Sequence, residues 1–371
     1  MNKQTLFILF SILLLFSING QVNPQIDSLI KAHVKKGFNG NIVYSKGDSI
    51  LFTGNYGIAN VETKQALTDS SLFELGSVSK QFTAIAIITL VEKNKLNYDT
   101  KVKDIIADFP YDDMTIEHLL QHRTGLPEIF AFSVRHKIWK KNGIATNEDV
   151  LSALIKHKPK LSCQPGTKHE YSNFGYMLLG SIIEKVSGLT YAEYLKTNLF
   201  QPAGMATSDV ILRAYDPREI ANNTEGYSNL KKGKKATEKR RLYFSFKAKS
   251  FLYSRIYRHF NGFYGDAGIS SSILEMELWK QSFRYNKIIS EESKKRMTDI
   301  LLESGKLGYG FWVLKSDEGI YYYHPGQWSG YTAESLYFPD GNTYVIILSN
   351  NNYQKTGEIA GELNDILQKM K

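Results

Sequence analysis

The chemistry-bearing residues of this chain fall in three short segments. Ser-x-x-Lys spacings occur three times, at Ser28/Lys31, Ser77/Lys80 and Ser228/Lys231, so spacing alone does not choose among them. Ser28 lies inside an amphipathic stretch and Ser228 opens a basic one, whereas Ser77 follows Leu75-Gly76 and immediately precedes the apolar run from Ser79 to Glu92. Only Ser77 stands at a helix start, where exposed N–H groups and the positive end of the helix dipole favour a developing alkoxide or oxyanion. Lys80, one turn along, faces the same side. A serine hydroxyl is a weak nucleophile at neutral pH and needs a base within reach. A lysine serves as that base only when burial favours its neutral form, and Ile85-Ala86-Ile87-Ile88 supply apolar surroundings. The bland reading of the same residues is a helix-capping serine beside a surface lysine.

Two further segments carry polar groups of matching use. Residues 165–187 (PGTKHEYSNFGYMLLGSIIEKVS) place Tyr171 and Asn173 at the mouth of a helix whose Met177, Leu178, Ile182 and Ile183 face a core. Residues 324–331 (HPGQWSGY) follow a strand and join a histidine to glycines that permit close backbone approach. Taken singly, the first reads as a helix cap and the second as a strand-end histidine. In this order, Phe73-Glu74-Leu75-Gly76-Ser77-Val78-Ser79-Lys80, Tyr171-Ser172-Asn173 and His324-Pro325-Gly326 resemble the three active-site elements of the serine β-lactamase and penicillin-binding-protein superfamily. The Tyr-x-Asn form is similar to that of the class C and DD-peptidase branch. His118 to Pro127 (HLLQHRTGLP), Pro165-Gly166-Thr167 and Gly265-Asp266-Ala267-Gly268-Ile269 extend the resemblance, which covers roughly residues 25–350.

The resemblance implies an acyl-enzyme on Ser77, with Lys80 and Tyr171 sharing proton transfer and Asn173 holding Lys80 and a substrate amide. It implies an oxyanion hole from the backbone N–H groups of Ser77 and Gln327, with His324 and Gly326 beside the substrate. Water would then release the acyl group, and no metal or organic cofactor is required. The third element departs from the Lys-Thr-Gly of β-lactamases. A neutral histidine does not replace a charge-assisted hydrogen bond to a substrate carboxylate, worth roughly 1.5 to 3 kcal/mol, and Pro325 also removes a hydroxyl and a backbone donor. The change weakens the case for efficient penicillin hydrolysis without touching the implied acylation machinery. His-x-Gly variants occur among related DD-peptidases, D-amino-acid amidases and esterases. The implied substrates are therefore small peptides or amides with D-amino acids, such as cell-wall fragments. A carboxylesterase is one alternative; a non-hydrolytic receptor for penicillin or peptidoglycan is another. Trp328 either narrows the cleft or belongs to the core.

The elements that must position these residues follow from periodicity. Residues 25–36 place Ile26, Leu29, Ile30 and Val34 at helical spacing before Gly37. Residues 40–59 alternate about Lys46-Gly47-Asp48 as a hairpin. The far end repeats this style, with strands at Tyr309–Leu314, Ile320–His324, Thr332–Phe338 and Thr343–Ser349, and a last helix from about Thr356 to Lys369. Helices dominate between, with Asn147 and Thr190 as N-caps, Glu193 completing a capping box, and Ser290 opening another helix. The expected fold is α+β: an antiparallel sheet built from both chain ends and flanked by helices, with an inserted, mostly helical subdomain. The α/β part spans about 22–78 and 306–371, and the helical part about 79–305. A cleft between them is the natural place for a site.

Composition bounds the rest. The chain has 371 residues, 42% apolar, with a formal charge of +9, which suits one large domain or two intimate subdomains and excludes a disordered chain. Its single cysteine, Cys163, excludes an internal disulfide and a cysteine-rich metal site. Residues 1–20, with Lys3 before an apolar stretch from Leu6 to Ile18, read as a signal peptide cleaved near Gly20; residues 21–371 are then secreted or periplasmic. The alternative is an uncleaved membrane anchor, for which this stretch is short. Lys231 to Arg258 contains eleven Lys and Arg against Glu238 alone, interleaved with aromatic residues. This basic insert suits an anionic membrane surface or cell-wall polymer, or else a solvated loop; nucleic acid is not expected as a partner of an exported protein. No Gly-x-Ser-x-Gly occurs, and His118 and His122, though i and i+4, lack the His-Glu-x-x-His of a metallohydrolase and read as structural. His33, His136, His157, His169 and His259 suggest no site.

Overall fold

The computed structural model describes residues 23–138, 143–212, 220–229, 234–235, 260–304, 308–316 and 319–369. The leader expected at 1–20, His259 and, except for Lys234 and Lys235, the basic stretch 231–258 lie outside the described residues. No described helix is long and apolar enough to cross a membrane.

Alternation builds a sheet from both ends of the chain. The hairpin forms as β1 (Gly40–Lys46) and β2 (Ser49–Tyr56) about positive-φ Gly47. The C-terminal strands are β3 (Trp312–Ser316), β4 (Gly319–Trp328), β5 (Tyr331–Phe338) and β6 (Thr343–Ser349). All pairings are antiparallel in the order β3-β4-β5-β6-β1-β2, and β1 meets β6 with Gly40 opposite Ser349. Both faces are covered. Ile42, Val345 and Ile347 point to α1 (Pro24–Lys35) and the last helix, α6 (Thr356–Gln368); Val43, Ile346 and Leu348 point the other way. On that second face α4 (Ile273–Arg284) packs through Ile273, Met276 and Trp279.

The inserted region is centred on α2 (Ser79–Glu92), whose residues from Ser79 to Leu90 are all buried. It packs against α3 (Asn173–Ser187). A helix apolar all round needs neighbours on every side, and this one has them. Thr190 and Glu193 make the expected capping box, and Ser290 precedes α5 (Glu291–Ser304), donating its side chain to Glu92.

Three expectations shift. Thr146, not Asn147, caps its helix; Asn147 is buried and donates to Met177 O and Tyr264 O, both at 3.1 Å. The strand expected from Tyr309 begins at Trp312, because Tyr309 takes φ +51° and its N–H reaches Leu120 O at 2.9 Å. β4 does not end at His324 but runs on to Trp328, so the third active-site segment lies within a strand rather than after it. β3 pairs with β4 only as far as Tyr323, so Pro325 stands where one edge of β4 is unpaired by that neighbour and its missing donor is tolerated.

Candidate active site

Ser77 sits in a one-turn 3-10 helix, Gly76–Val78, between the short strand Phe73–Glu74 and α2. That turn is pressed against β4. A Cβ on Gly76, which has φ +53°, would lie 2.7 Å from the Gln327 nitrogen, and one on Gly326 would lie 2.0 Å from Leu75 O. The backbones of Ser77 and Gln327 are thereby held side by side, and only glycine at 76 and 326 permits it.

Lys80, fully buried, lies 3.2 Å from Ser77 Oγ through its Nζ, which also donates to Asn173 Oδ1 and Asp266 O, both at 2.8 Å. Three acceptors match the three N–H donors of an ammonium group. Tyr171 donates its hydroxyl hydrogen to Ser77 Oγ at 3.0 Å and its ring faces Lys80 Nζ at 5.1 Å. Asn173 is the first residue of α3, whose cap is Ser172. The structure thus brings Ser77, Lys80, Tyr171 and Asn173 into one hydrogen-bonded cluster.

His324 is buried, its ring 6.3 Å from that of Tyr171. Its Nδ1 lies 2.7 Å from Pro325 O, a carbonyl that only accepts, so Nδ1 carries the hydrogen and Nε2, which has no partner among the described residues, the lone pair. Burial, followed by the Lys80 charge, pushes its pKa down to about 3. The third element is uncharged at neutral pH. Trp328 at the end of β4 is half-buried, donating to Asn261 Oδ1 at 3.0 Å and packing 6.0 Å from Phe130.

Two residues not picked out as site residues from the sequence join the cluster. Asp266 supplies the carbonyl for Lys80, while burial raises its own carboxyl to about 6. His122 stacks beneath Tyr171; the only sequence signal was its place in the segment 118–127. His118 is structural, its Nδ1 accepting from Thr115 N at 3.3 Å in a capping box. Among the described residues no group of three or more His, Cys, Asp or Glu is placed to hold a metal.

The profile described as β-lactamase matches residues 26–368. The chain belongs to the β-lactamase family. Penicillin-binding protein 4* of Bacillus subtilis (strain 168) is 34% identical over 327 residues, covering 85% of this β-lactamase-family chain and 69% of that protein. D-aminopeptidase of Gluconobacter oxydans (strain 621H) is 23% identical over 317 residues, 84% of this chain but 55% of that protein, so the chain spans about half of that relative's length. The solved penicillin binding protein from Bacillus halodurans superposes with a TM-score of 0.73 at 26% identity, covering 93% of this chain and all of that one. Family and geometry agree on a serine hydrolase.

Proposed function

We propose that this β-lactamase-family protein hydrolyses amide bonds of small D-amino-acid compounds through an acyl-enzyme on Ser77. The observation that carries the reading is the placement of Ser77 Oγ between Lys80 Nζ at 3.2 Å and the Tyr171 hydroxyl at 3.0 Å. Ser77 Oγ attacks the carbonyl carbon while the Lys80–Tyr171 pair accepts its proton, which requires that the pair first give up to solvent one of the protons it holds in the resting arrangement. The oxyanion lies between the N–H groups of Ser77 and Gln327, each such donor being worth about 3 to 4 kcal/mol in the transition state. The proton passes to the leaving nitrogen, the C–N bond breaks, and water attacks the ester to free the acid and restore Ser77. Asn173 holds Lys80 in register. D-Amino-acid chemistry is supported by the name of the Gluconobacter relative, and action outside the cytoplasm by the apolar leader at Leu6 to Ile18.

The third element favours an uncharged leaving side. His324 stays neutral down to about pH 3 and Pro325 has neither hydroxyl nor N–H, so this strand offers no charged partner for a free carboxylate. Amides are accordingly better substrates than dipeptides ending in a carboxylate or penicillins.

The test is the intact mass after exposure to a fluorophosphonate, with Ser77→Ala as control, followed by turnover of D-alaninamide and D-alanyl-D-alanine. An adduct on the wild type alone, with the amide turned over faster, is expected. No adduct overturns the hydrolase reading. Faster release of D-alanine from the dipeptide replaces the amidase reading with a carboxypeptidase, and an adduct with no turnover replaces it with a receptor.

A further inference from the structure

Of the four clustered residues Ser77, Lys80, Tyr171 and Asn173, Tyr171 is the one most open to solvent, at 41% exposure, and it lies before the first turn of α3. No helix of its own fixes its phenol. One side chain meets it from several directions. The His122 ring stacks on that of Tyr171 at 4.8 Å and 19°. Its Nδ1 accepts the N–H of Ser172 at 2.9 Å, and its carbonyl accepts the N–H of Glu170 at 2.8 Å. The residues on both sides of Tyr171 are therefore tied to His122, as is the ring between them. Behind, His122 rests on Tyr176 at 4.8 Å and 24°, whose hydroxyl donates to Leu120 O at 3.1 Å. The stack Tyr171–His122–Tyr176 runs from the exposed Tyr171 to the fully buried Tyr176.

The arrangement costs backbone strain. His122 takes φ +55°, a left-handed conformation that non-glycine residues rarely adopt, and it is fully buried. An imidazole that accepts at Nδ1 must carry its hydrogen on Nε2 and be uncharged. Burial, then the Lys80 charge, holds its pKa well below 6.5, so the acceptor persists at neutral pH.

We propose that His122 is a positioning residue for Tyr171, a neutral clamp that keeps the phenol aimed at Ser77 during proton transfer. The inference rests on the Ser77 hydrolase reading and assigns this histidine a role in the reaction without contact with substrate.

Two substitutions separate the ring from the acceptor. His122→Asn tolerates positive φ and keeps an acceptor near Nδ1 but loses the stack; His122→Phe keeps the stack and loses the acceptor. With the full chain and p-nitrophenyl acetate, each is expected to lower kcat about tenfold or more while KM stays within about twofold, since a displaced proton-transfer group slows chemistry rather than binding. In a Tyr171→Phe background the same substitutions are expected to change kcat by less than about twofold, because the group they position is gone. Equal losses in both backgrounds, or no loss in the wild-type background, overturn the proposal. A third measurement needs no variant: the imidazole 15N shifts of His122 in the wild type at pH 6 are expected to report an Nε2–H tautomer, and an Nδ1–H tautomer or an imidazolium overturns it. Fluorophosphonate labelling of the wild type distinguishes the two failures. Labelling with equal losses removes only the clamp, whereas absence of labelling removes the hydrolase reading and the clamp with it.

Discussion

Gly326 on β4 lies against the carbonyl of Leu75 so closely that a methyl group in place of its α-hydrogen would stand 2.0 Å from the oxygen. The strand is seated directly on the turn that carries Ser77. Gly326→Ala must therefore push β4 away from residues 75–77. Its expected result is a loss of fluorophosphonate labelling at Ser77 by about tenfold or more, with a lowered melting temperature, since backbone atoms cannot yield as side-chain ends do. Labelling at the wild-type rate would show that the two backbones are free to separate.

Tyr171→Phe removes the hydroxyl that lies 3.0 Å from Ser77 Oγ on a half-open side chain. The ring stack on His122 remains, so folding is expected to be unaffected while acylation falls by roughly 10²- to 10⁴-fold, the range of general acid–base catalysis. Stopped-flow acylation beside a thermal melt checks both halves.

His324 brings an acid sensitivity. Its pKa of about 3 in the folded chain lies below the 6.5 of a free histidine, so between those values the unfolded chain binds a proton that the folded chain refuses. Stability is lost as pH falls through that window. His324→Gln abolishes this step, so relative to wild type the variant gains about 2 to 3 kcal/mol on going from pH 7 to pH 4.5. Denaturant unfolding at the two pH values measures the change, and an unchanged difference would contradict the assignment.

Glu334 carries the opposite dependence. It lies buried on β5 beside Thr356 at the start of α6, and burial lifts its pKa to about 7 from the ordinary 4.5. Here the folded chain keeps a proton that the unfolded chain releases, so stability is lost as pH rises from 4.5 through 7. Glu334→Gln is expected to gain about 3 kcal/mol relative to wild type on going from pH 4.5 to pH 8.5. A gain of equal size at both values would place the effect in packing rather than in the charge.

What the sequence discloses is whatever is written locally. β6 is legible residue for residue, because an apolar run from Thr343 to Ser349 follows the turn Pro339-Asp340-Gly341-Asn342. The helix start at Ser77 is legible for the same reason, since the glycine, the serine and the apolar run are contiguous. Asn147 misleads because it looks like a cap but is recruited by the backbone of Tyr264, a partner remote in sequence. His324-Pro325-Gly326 looks like the end of a strand because proline argues against one, and only the pairing of Pro325 with Glu334 shows β4 continuing. His122 is hidden most deeply. Nothing near residue 122 announces that its ring will lie on Tyr171.

The union of the two chain ends in one sheet also sets an order of events in time. Ser77, Lys80, Tyr171 and Asn173 are all synthesised before any residue of β4, and Gln327, whose backbone lies beside Ser77, comes after all of them. An unfinished polypeptide carries Ser77 without the strand that flanks it. Closing the sheet is therefore also the event that first sets Gln327 beside the turn of Ser77, and a chain that stops short of β4 lacks that juxtaposition.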